Sequence, residues 1–149
     1  QADWEYYTQG TGKWIAENPY KNENEPWDAY RLEWTWGLGK KTLRGRLLAM
    51  KDGRDGGIIF EYLSYWHPKE RRVVLNQWGS DGTYGTGTMK TTGDHTTESQ
   101  QVFFNPDGSE FRIGHRAEKL QGEARLQSYS VSADGVWEKT RQYVWKRVG

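Results

Sequence analysis

The chain of 149 residues contains no cysteine. Disulfide bridges, thiolate metal sites and cysteine nucleophiles are therefore excluded. Long apolar runs are also missing, because no stretch approaches the roughly 20 residues that a membrane-spanning helix needs. Neither charge sign dominates: 21 basic residues accompany 20 acidic ones, interspersed along the chain, for a formal net charge of +1. Such a balance lacks the electrostatic footprint of a nucleic-acid-binding protein, so we expect no nucleic-acid partner.

Aromatic residues and glycine are abundant instead. The chain has 9 Trp, 9 Tyr and 4 Phe, together with 18 Gly. Aromatic side chains suit the pleated surface of a sheet, and glycine suits tight turns and strand bends. The composition therefore favours an all-β protein.

Turn signals rich in Gly, Asp, Asn and Pro recur at short intervals along the chain. They fall at 18–26, 37–41, 51–57, 67–71, 79–82, 91–95, 105–109, 120–123 and 132–135. The stretches between them, about 6 to 12 residues each, have strand length and leave no room for helical crossovers. Antiparallel strands joined by short turns hide their edges best by closing. We predict one domain, residues 1–149: a single antiparallel up-and-down β-barrel of about 8–10 strands with a lumen for one small ligand.

Alternation of side chains assigns faces to some of these strands. Tyr30, Leu32, Trp34 and Trp36 fall on one face of an early strand. In the last strand, the same period places Trp137, Tyr143 and Trp145 together. Two windows, 24–34 and 116–127, also carry helical features, but alternation in the first and Gly122 in the second favour strands and a hairpin turn.

Short motifs at both ends of the chain resemble those of the calycin barrels. Gly12, Lys13 and Trp14 form a Gly-x-Trp triplet, and Arg141 and Tyr143 are two apart in the closing strand. The chain is similar in these motifs to lipocalins and fatty-acid-binding proteins, and segments 34–48, 62–89 and 134–148 are similar in order and spacing to bacterial lipocalin-like domains. The resemblance implies a lipocalin-like barrel with an internal ligand, and an Arg–Tyr pair that holds a ligand carboxylate.

An aromatic group on neighbouring strands forms the first part of the predicted ligand site. Its members are Trp34, Trp36, Tyr62, Trp66 and Trp78. Together they can wall an apolar pocket, with indole N–H and phenol O–H groups to orient a guest. The alternative is a packed core without any cavity.

Two arginine-containing pairs complete the polar part of the predicted site. Arg44 and Arg46 share a face; pointing inward, they attract an anionic head group, and pointing outward they are solvated charges. Arg141 and Tyr143 also share a face and can grip a carboxylate. The structural alternative for Arg141 is a cation–π contact with Trp14 that closes the base of the barrel.

Three histidines, His67, His95 and His115, lack the spacing of a metal site, so we predict neither a metal nor a cofactor. His115 lies within a strand and is the better candidate for a proton carrier in the lumen, which adds it to the predicted site.

Three hypotheses about function follow. The first is binding of a small hydrophobic or amphipathic ligand, with an anionic one included, in an aromatic-lined cavity. The alternative is an isomerase, cyclase or hydratase with His115 or His67 as acid or base and Tyr143 polarising a carbonyl. The third is an interaction module with Trp4, Trp27 or Trp137 exposed on a flat face and no cavity. A homodimer stays open. Because residue 1 is Gln instead of Met, we expect a secreted or periplasmic protein, with the cytoplasm as the alternative.

Overall fold

The computed structural model describes residues 2–149. A short helix, α1 (Ala2–Thr8), precedes ten strands. The strands are β1 (Lys13–Glu17), β2 (Ala29–Trp36), β3 (Thr42–Lys51), β4 (Arg54–His67), β5 (Arg72–Gly79), β6 (Tyr84–Thr91), β7 (Thr96–Phe104), β8 (Glu110–Leu120), β9 (Glu123–Val131) and β10 (Trp137–Arg147). A 3-10 turn, Leu38–Lys40, lies between β2 and β3.

Every strand pairs with its neighbours in the chain, and β1 closes the ring by pairing with β10. All these pairings are antiparallel. Closure gives each strand two hydrogen-bonded partners, so no edge is left to pair with another chain. The predicted all-β, closed, antiparallel up-and-down barrel is confirmed, at ten strands.

The barrel has two chemically different ends. We call the end covered by α1 the helix end; the turns that follow β2, β4, β6 and β8 also lie there. The opposite end, the loop end, carries the long β1–β2 connection, residues 18–28, and the turns that follow β3, β5, β7 and β9. The inner faces of the strands connect the two ends.

Neither window with helical features is a helix in the structure. β2 begins at Ala29, after Pro26, and the second window forms a hairpin between β8 and β9. Gly122, at the tip of that hairpin, has a φ of +70°, a conformation that glycine adopts without the steric cost of a Cβ. The preference for strands over helices is confirmed in both places.

Trp14 is the most deeply buried large side chain, at 1% exposure. Gly12 allows this approach: its φ is +70°, and a Cβ there would lie 2.3 Å from the Trp34 carbonyl oxygen. The cation over the Trp14 ring is Arg147, with its guanidinium 4.7 Å from the ring centroid. The structural alternative for Arg141, a contact with Trp14, is therefore wrong, because Arg141 is bound to Glu25 at the loop end.

The face assigned to Trp137 is also wrong. A bulge between Lys139 and Gln142 shifts the pairing of β10 with β9. Beyond the bulge, Trp137 lies on the outer face, where its ring covers Gly114 and contacts Tyr129 at 5.2 Å. One extra residue in a strand reverses the face of all that precede it, so period-2 counting from Trp145 fails at Trp137.

Helix α1 was not predicted from the sequence. Its Trp4 and Tyr7 are three residues apart and therefore lie on one side of the helix, against the barrel. Tyr6 holds the helix in place through its hydroxyl, which lies 2.5 Å from the Leu120 carbonyl oxygen, and Asp3 forms an ion pair with Lys119. Within residues 2–149, no helix is long and apolar enough to cross a bilayer.

Candidate functional site

The barrel contains a cavity of about 230 Å³ beneath α1. Helix α1 contributes Asp3, Trp4 and Tyr7 to its lining. The strand residues that line it include Trp14, Leu32, Trp34, Leu43, Tyr62, Ser64, Leu75, Gln77, Met89, Thr97, Ser99, Gln101, His115, Ala117, Ala124, Leu126 and Trp145. The aromatics do not fill the lumen, so the alternative of a packed core without a cavity is wrong.

One side of the cavity is an aromatic wall, formed mainly by α1, β1, β2, β4 and β10. Its members are Trp4, Tyr7, Trp14, Trp34, Tyr62 and Trp145. Ring contacts join three of these residues: Tyr7 lies 6.0 Å from Trp34, and Trp34 lies 5.5 Å from Tyr62, between centroids. Gly45, opposite Trp34, leaves room for the indole, because a Cβ there would lie 2.4 Å from that ring.

The other side is a polar wall on β4, β5, β7 and β8. Its members are Ser64, Gln77, Thr97, Ser99, Gln101 and His115. On β7, the three polar residues alternate along the strand and so share the inner face. Two glycines on the inner face of β6, Gly85 and Gly87, allow Gln101 to donate to Gln77 across that strand, at 3.4 Å.

His115 is the titratable group of the polar wall. Burial lowers the pKa of its imidazole from 6.5 to about 4, because the charged form would lose its hydration. No hydrogen bond joins the imidazole to any side chain or backbone group within residues 2–149. The ring is therefore neutral at ordinary pH, with one nitrogen as donor and the other as acceptor, both available to a guest.

The cavity carries no unbalanced charge among the described residues that line it. Asp3 is paired with Lys119, and the Arg125 guanidinium lies 3.1 Å from the Glu123 carboxylate. Burial raises the pKa of Tyr7 and of Tyr62 well above the ordinary value, so both phenols keep their protons. A bound ion would find no countercharge here, which is costly in a desolvated site.

Two indole N–H groups of the aromatic wall have no acceptor. The Nε1 atoms of Trp34 and Trp145 are buried and make no hydrogen bond within the described part of the chain. A buried donor without a partner costs about 1–3 kcal/mol. The wall therefore combines apolar ring faces with unmet donor capacity.

Three predicted site residues lie at the cavity and three lie outside the barrel. Trp34, Tyr62 and His115 line the cavity. The three outside the barrel, on its outer face, are Arg44, Arg46 and Trp78.

Register explains the positions of the two arginines. Trp34 is opposite Gly45, so the inner face of β3 carries Gly45, with Leu43 lining the cavity, and Arg44 and Arg46 point outward. Arg46 donates to Glu33 at 2.6 Å. Their inclusion in the ligand site is corrected, and the outward alternative is the one observed.

Trp78 also lies outside, because its neighbour Gln77 is on the inner face. It is 43% exposed and contacts Tyr84 at 5.6 Å. Two further predicted tryptophans are at the helix end. Trp36 meets Trp4 edge to face at 6.0 Å, and Trp66, at the end of β4, is 50% exposed. Neither is among the residues that line the cavity.

Arg141 and Tyr143 do come together, but at the loop end and around a carboxylate of the chain itself. Arg141 donates to Glu25 at 2.8 Å and to the Tyr143 hydroxyl at 3.0 Å. Tyr30 donates to the same Glu25 oxygen at 2.5 Å. The guanidinium also lies over Tyr20, 4.9 Å from its centroid. The geometry of a carboxylate clamp is present, and Glu25 occupies it.

Sequence reasoning missed most of the polar wall. Thr97, Ser99 and Gln101 lie in β7, where small polar residues at alternate positions read as a solvent-facing side. The signal that could have identified them is Gly85 and Gly87 on β6, since two glycines on one face leave space beside a neighbouring strand.

The three histidines stay apart, and among residues 2–149 no group of three or more His, Asp or Glu side chains is arranged to hold a metal. His67 ends β4, and its Nδ1 accepts from the Glu70 backbone at 3.1 Å.

Comparison with protein-family models gives no match, and comparison with curated proteins gives none either. The cavity and its two walls are therefore the basis on which we assign a function.

Proposed function

We propose that the protein binds one small, uncharged, amphipathic molecule inside the barrel. The observation that carries this proposal is the cavity with an aromatic wall on one side and neutral hydrogen-bonding groups on the other. Removal of apolar ligand surface from water supplies the affinity, at about 25 cal/mol per Å². The polar wall orients the guest.

Size limits the class of ligand. An apolar cavity of about 150 Å³ holds benzene. The 230 Å³ found here suits a molecule with one or two fused rings. Long-chain fatty acids, retinoids and haem would require the barrel to open.

Charge limits the class further. An anionic ligand would need a free cation, yet the guanidiniums predicted for that role are outside the barrel or already bound to Glu25. The charge distribution therefore favours an uncharged guest over the anionic one that the sequence analysis included.

A calycin-type barrel is part of the same proposal. The closed antiparallel barrel, the buried Trp14 of the Gly-x-Trp triplet and the arginine over its ring all agree with that resemblance. The ten strands exceed the eight of lipocalins, so the likeness supports internal binding and does not name a ligand.

His115 is the feature that favours the enzyme alternative, because a histidine lines the pocket. A general base works best with a pKa near the working pH, and burial brings the pKa of His115 to about 4. The proposed partner, Tyr143, is bound to Arg141 at the other end of the barrel. Ligand binding therefore explains the site better than the enzyme alternative, because it needs neither a general base nor Tyr143.

Isothermal titration calorimetry with indole tests the proposal, since indole has the size and the polarity that the cavity suits. We expect saturable binding to one site. Ala117→Leu adds bulk to the cavity wall and should weaken binding by about tenfold or more, because a close-packed site cannot hold both the leucine side chain and indole. Trp78→Phe on the outer face is the control and should leave affinity unchanged. Absence of binding, or equal binding by Ala117→Leu, would overturn the proposal.

A further inference from the structure

A row of polar side chains crosses three strands of the barrel at one level. Ser99 on β7 is directly opposite His115 on β8, and His115 is directly opposite Ser128 on β9. Residues that are opposite each other in antiparallel strands share a face, so all three are on the inner face. The imidazole is thus flanked by two hydroxyl groups inside the barrel.

The imidazole is the strongest acceptor on this inner face that has no partner. The Gln77 carbonyl oxygen already accepts from the Gln101 amide, whereas no protein group within residues 2–149 bonds to the ring nitrogens of His115. A neutral imidazole has one nitrogen lone pair, which lies in the plane of the ring and can accept a hydrogen bond from a donor beside the ring. A guest with an N–H or O–H group satisfies that lone pair directly.

The opposite wall favours a flat guest. Trp34 and Trp145 line the cavity, and their rings offer broad apolar faces. Offset stacking with an aromatic guest adds to the gain from burial. A planar ring can therefore lie against the indoles with its edge directed at β8.

We propose that the cavity selects an uncharged, planar ring compound that donates a hydrogen bond from an N–H or O–H group to His115 while its face packs against Trp34 and Trp145. This inference rests on the proposed function and names the ligand class. It assigns His115 as the residue that determines specificity, a role that composition and spacing do not reveal.

The experiment compares two probes of nearly the same shape. Indole carries a ring N–H, and indene has a CH₂ group in its place. Calorimetric titration gives the affinity for indole, and displacement of indole gives the affinity for indene. We expect wild-type protein to bind indole about tenfold more tightly, the value for one net hydrogen bond in a desolvated site.

Variants of His115 assign the difference to one side chain. In His115→Leu the preference for indole should disappear because indole loses affinity, while the affinity for indene stays level or rises. His115→Gln retains an acceptor and should keep part of the preference, which guards against a folding defect in the leucine variant. His95→Leu changes an exposed histidine in a turn and should behave as wild type.

The outcomes separate this inference from the proposed function. Equal affinity for both probes, or a preference that survives in His115→Leu, overturns the role of His115 and leaves cavity binding intact. Failure of both probes to bind overturns the proposed function, and the inference falls with it. If the preference for indole is lost in His115→Leu but kept in wild type and in His95→Leu, both the inference and the proposed function are supported.

Discussion

The two ends of the barrel use the same types of residue for different purposes. At the helix end, Arg147 lies over Trp14 and over Tyr6, with its guanidinium 4.7 and 5.1 Å from the two centroids. At the loop end, Arg141 lies among tyrosines but is bound to the Glu25 carboxylate. One arginine seals an aromatic cluster, and the other neutralises an acid.

The difference shows that an Arg–aromatic pair in the last strand has no fixed role. The role depends on what the other end of the chain places above it: α1 at one end and the 18–28 connection at the other. Among residues 2–149, the cavity lining includes Trp4, Tyr7 and Trp14 of the helix end, whereas Glu25, Tyr30 and Arg141 of the loop end are not part of it.

Trp14→Ala at the helix end should cost about 3–5 kcal/mol of the free energy of unfolding, because it removes the most buried indole. The matched change at the loop end is Phe111→Ala. Phe111 is 40% exposed, and its loss should cost about 1 kcal/mol. Urea unfolding followed by circular dichroism measures both. Equal costs would contradict the contrast between the two ends.

Acid should destabilise the fold through the cavity between the ends. The pKa of His115 is about 4 in the folded protein, below its unfolded value of 6.5, so the unfolded chain binds a proton first as pH falls. The stabilisation is complete above pH 6.5 and is lost progressively down to about pH 4. From these pKa values we expect a loss of about 3 kcal/mol.

Urea unfolding of His115→Leu over the same pH range checks the acid prediction. This variant should lack the part of the pH dependence that His115 contributes, while His95→Leu should keep it. Identical profiles for His115→Leu and wild type would show that the imidazole is well hydrated in the folded state.

Replacement of each arginine by methionine measures how much that arginine contributes to stability at its end of the barrel. Arg147→Met loses two cation–π contacts and a 3.1 Å hydrogen bond to the Tyr6 carbonyl, for about 2 kcal/mol. Arg141→Met leaves Glu25 without its cation in a more solvated place and should cost about 1 kcal/mol. Urea midpoints measure both. A larger loss of unfolding free energy for Arg141→Met would show that the loop end contributes more to stability than the helix end, which would contradict this prediction.

Glu25→Gln should have the smallest effect on stability, about 0.5–1 kcal/mol, since the ion pair is partly exposed. Its effect should be local. Hydrogen exchange measured by mass spectrometry should become faster in residues 18–28 and stay unchanged in α1. Faster exchange in both segments would show that the two ends are coupled through the barrel.

Much of the fold is predictable from the sequence because turn chemistry is local. Glycine, aspartate, asparagine or proline marks each turn, and the intervals between the turns have strand length, so the closed barrel and its strand number follow. The failure at Trp137 has a physical cause. The bulge between Lys139 and Gln142 carries no glycine, so no residue type marks the point where the faces exchange.

The site is less predictable because it depends on contacts between distant residues. Gly45 interrupts the apolar face of β3. Glycine is needed there because the Trp34 ring, which lies on another strand, leaves no room for a Cβ. That interruption leaves the direction of Arg44 and Arg46 open in the sequence. Likewise, Glu25 lies in a connection 116 residues from Arg141, and no local pattern announces their ion pair.

Two-dimensional ¹H–¹⁵N NMR can show whether the hollow barrel receives a ring between its two walls, since each of the 9 tryptophans gives its own indole N–H signal. On addition of indole, we predict that the indole signals of Trp34 and Trp145 and the backbone signals of Ser99, Gln101 and His115 shift. The Trp78 signal should stay in place. Shifts confined to outer-face residues, or none at all, would contradict the account.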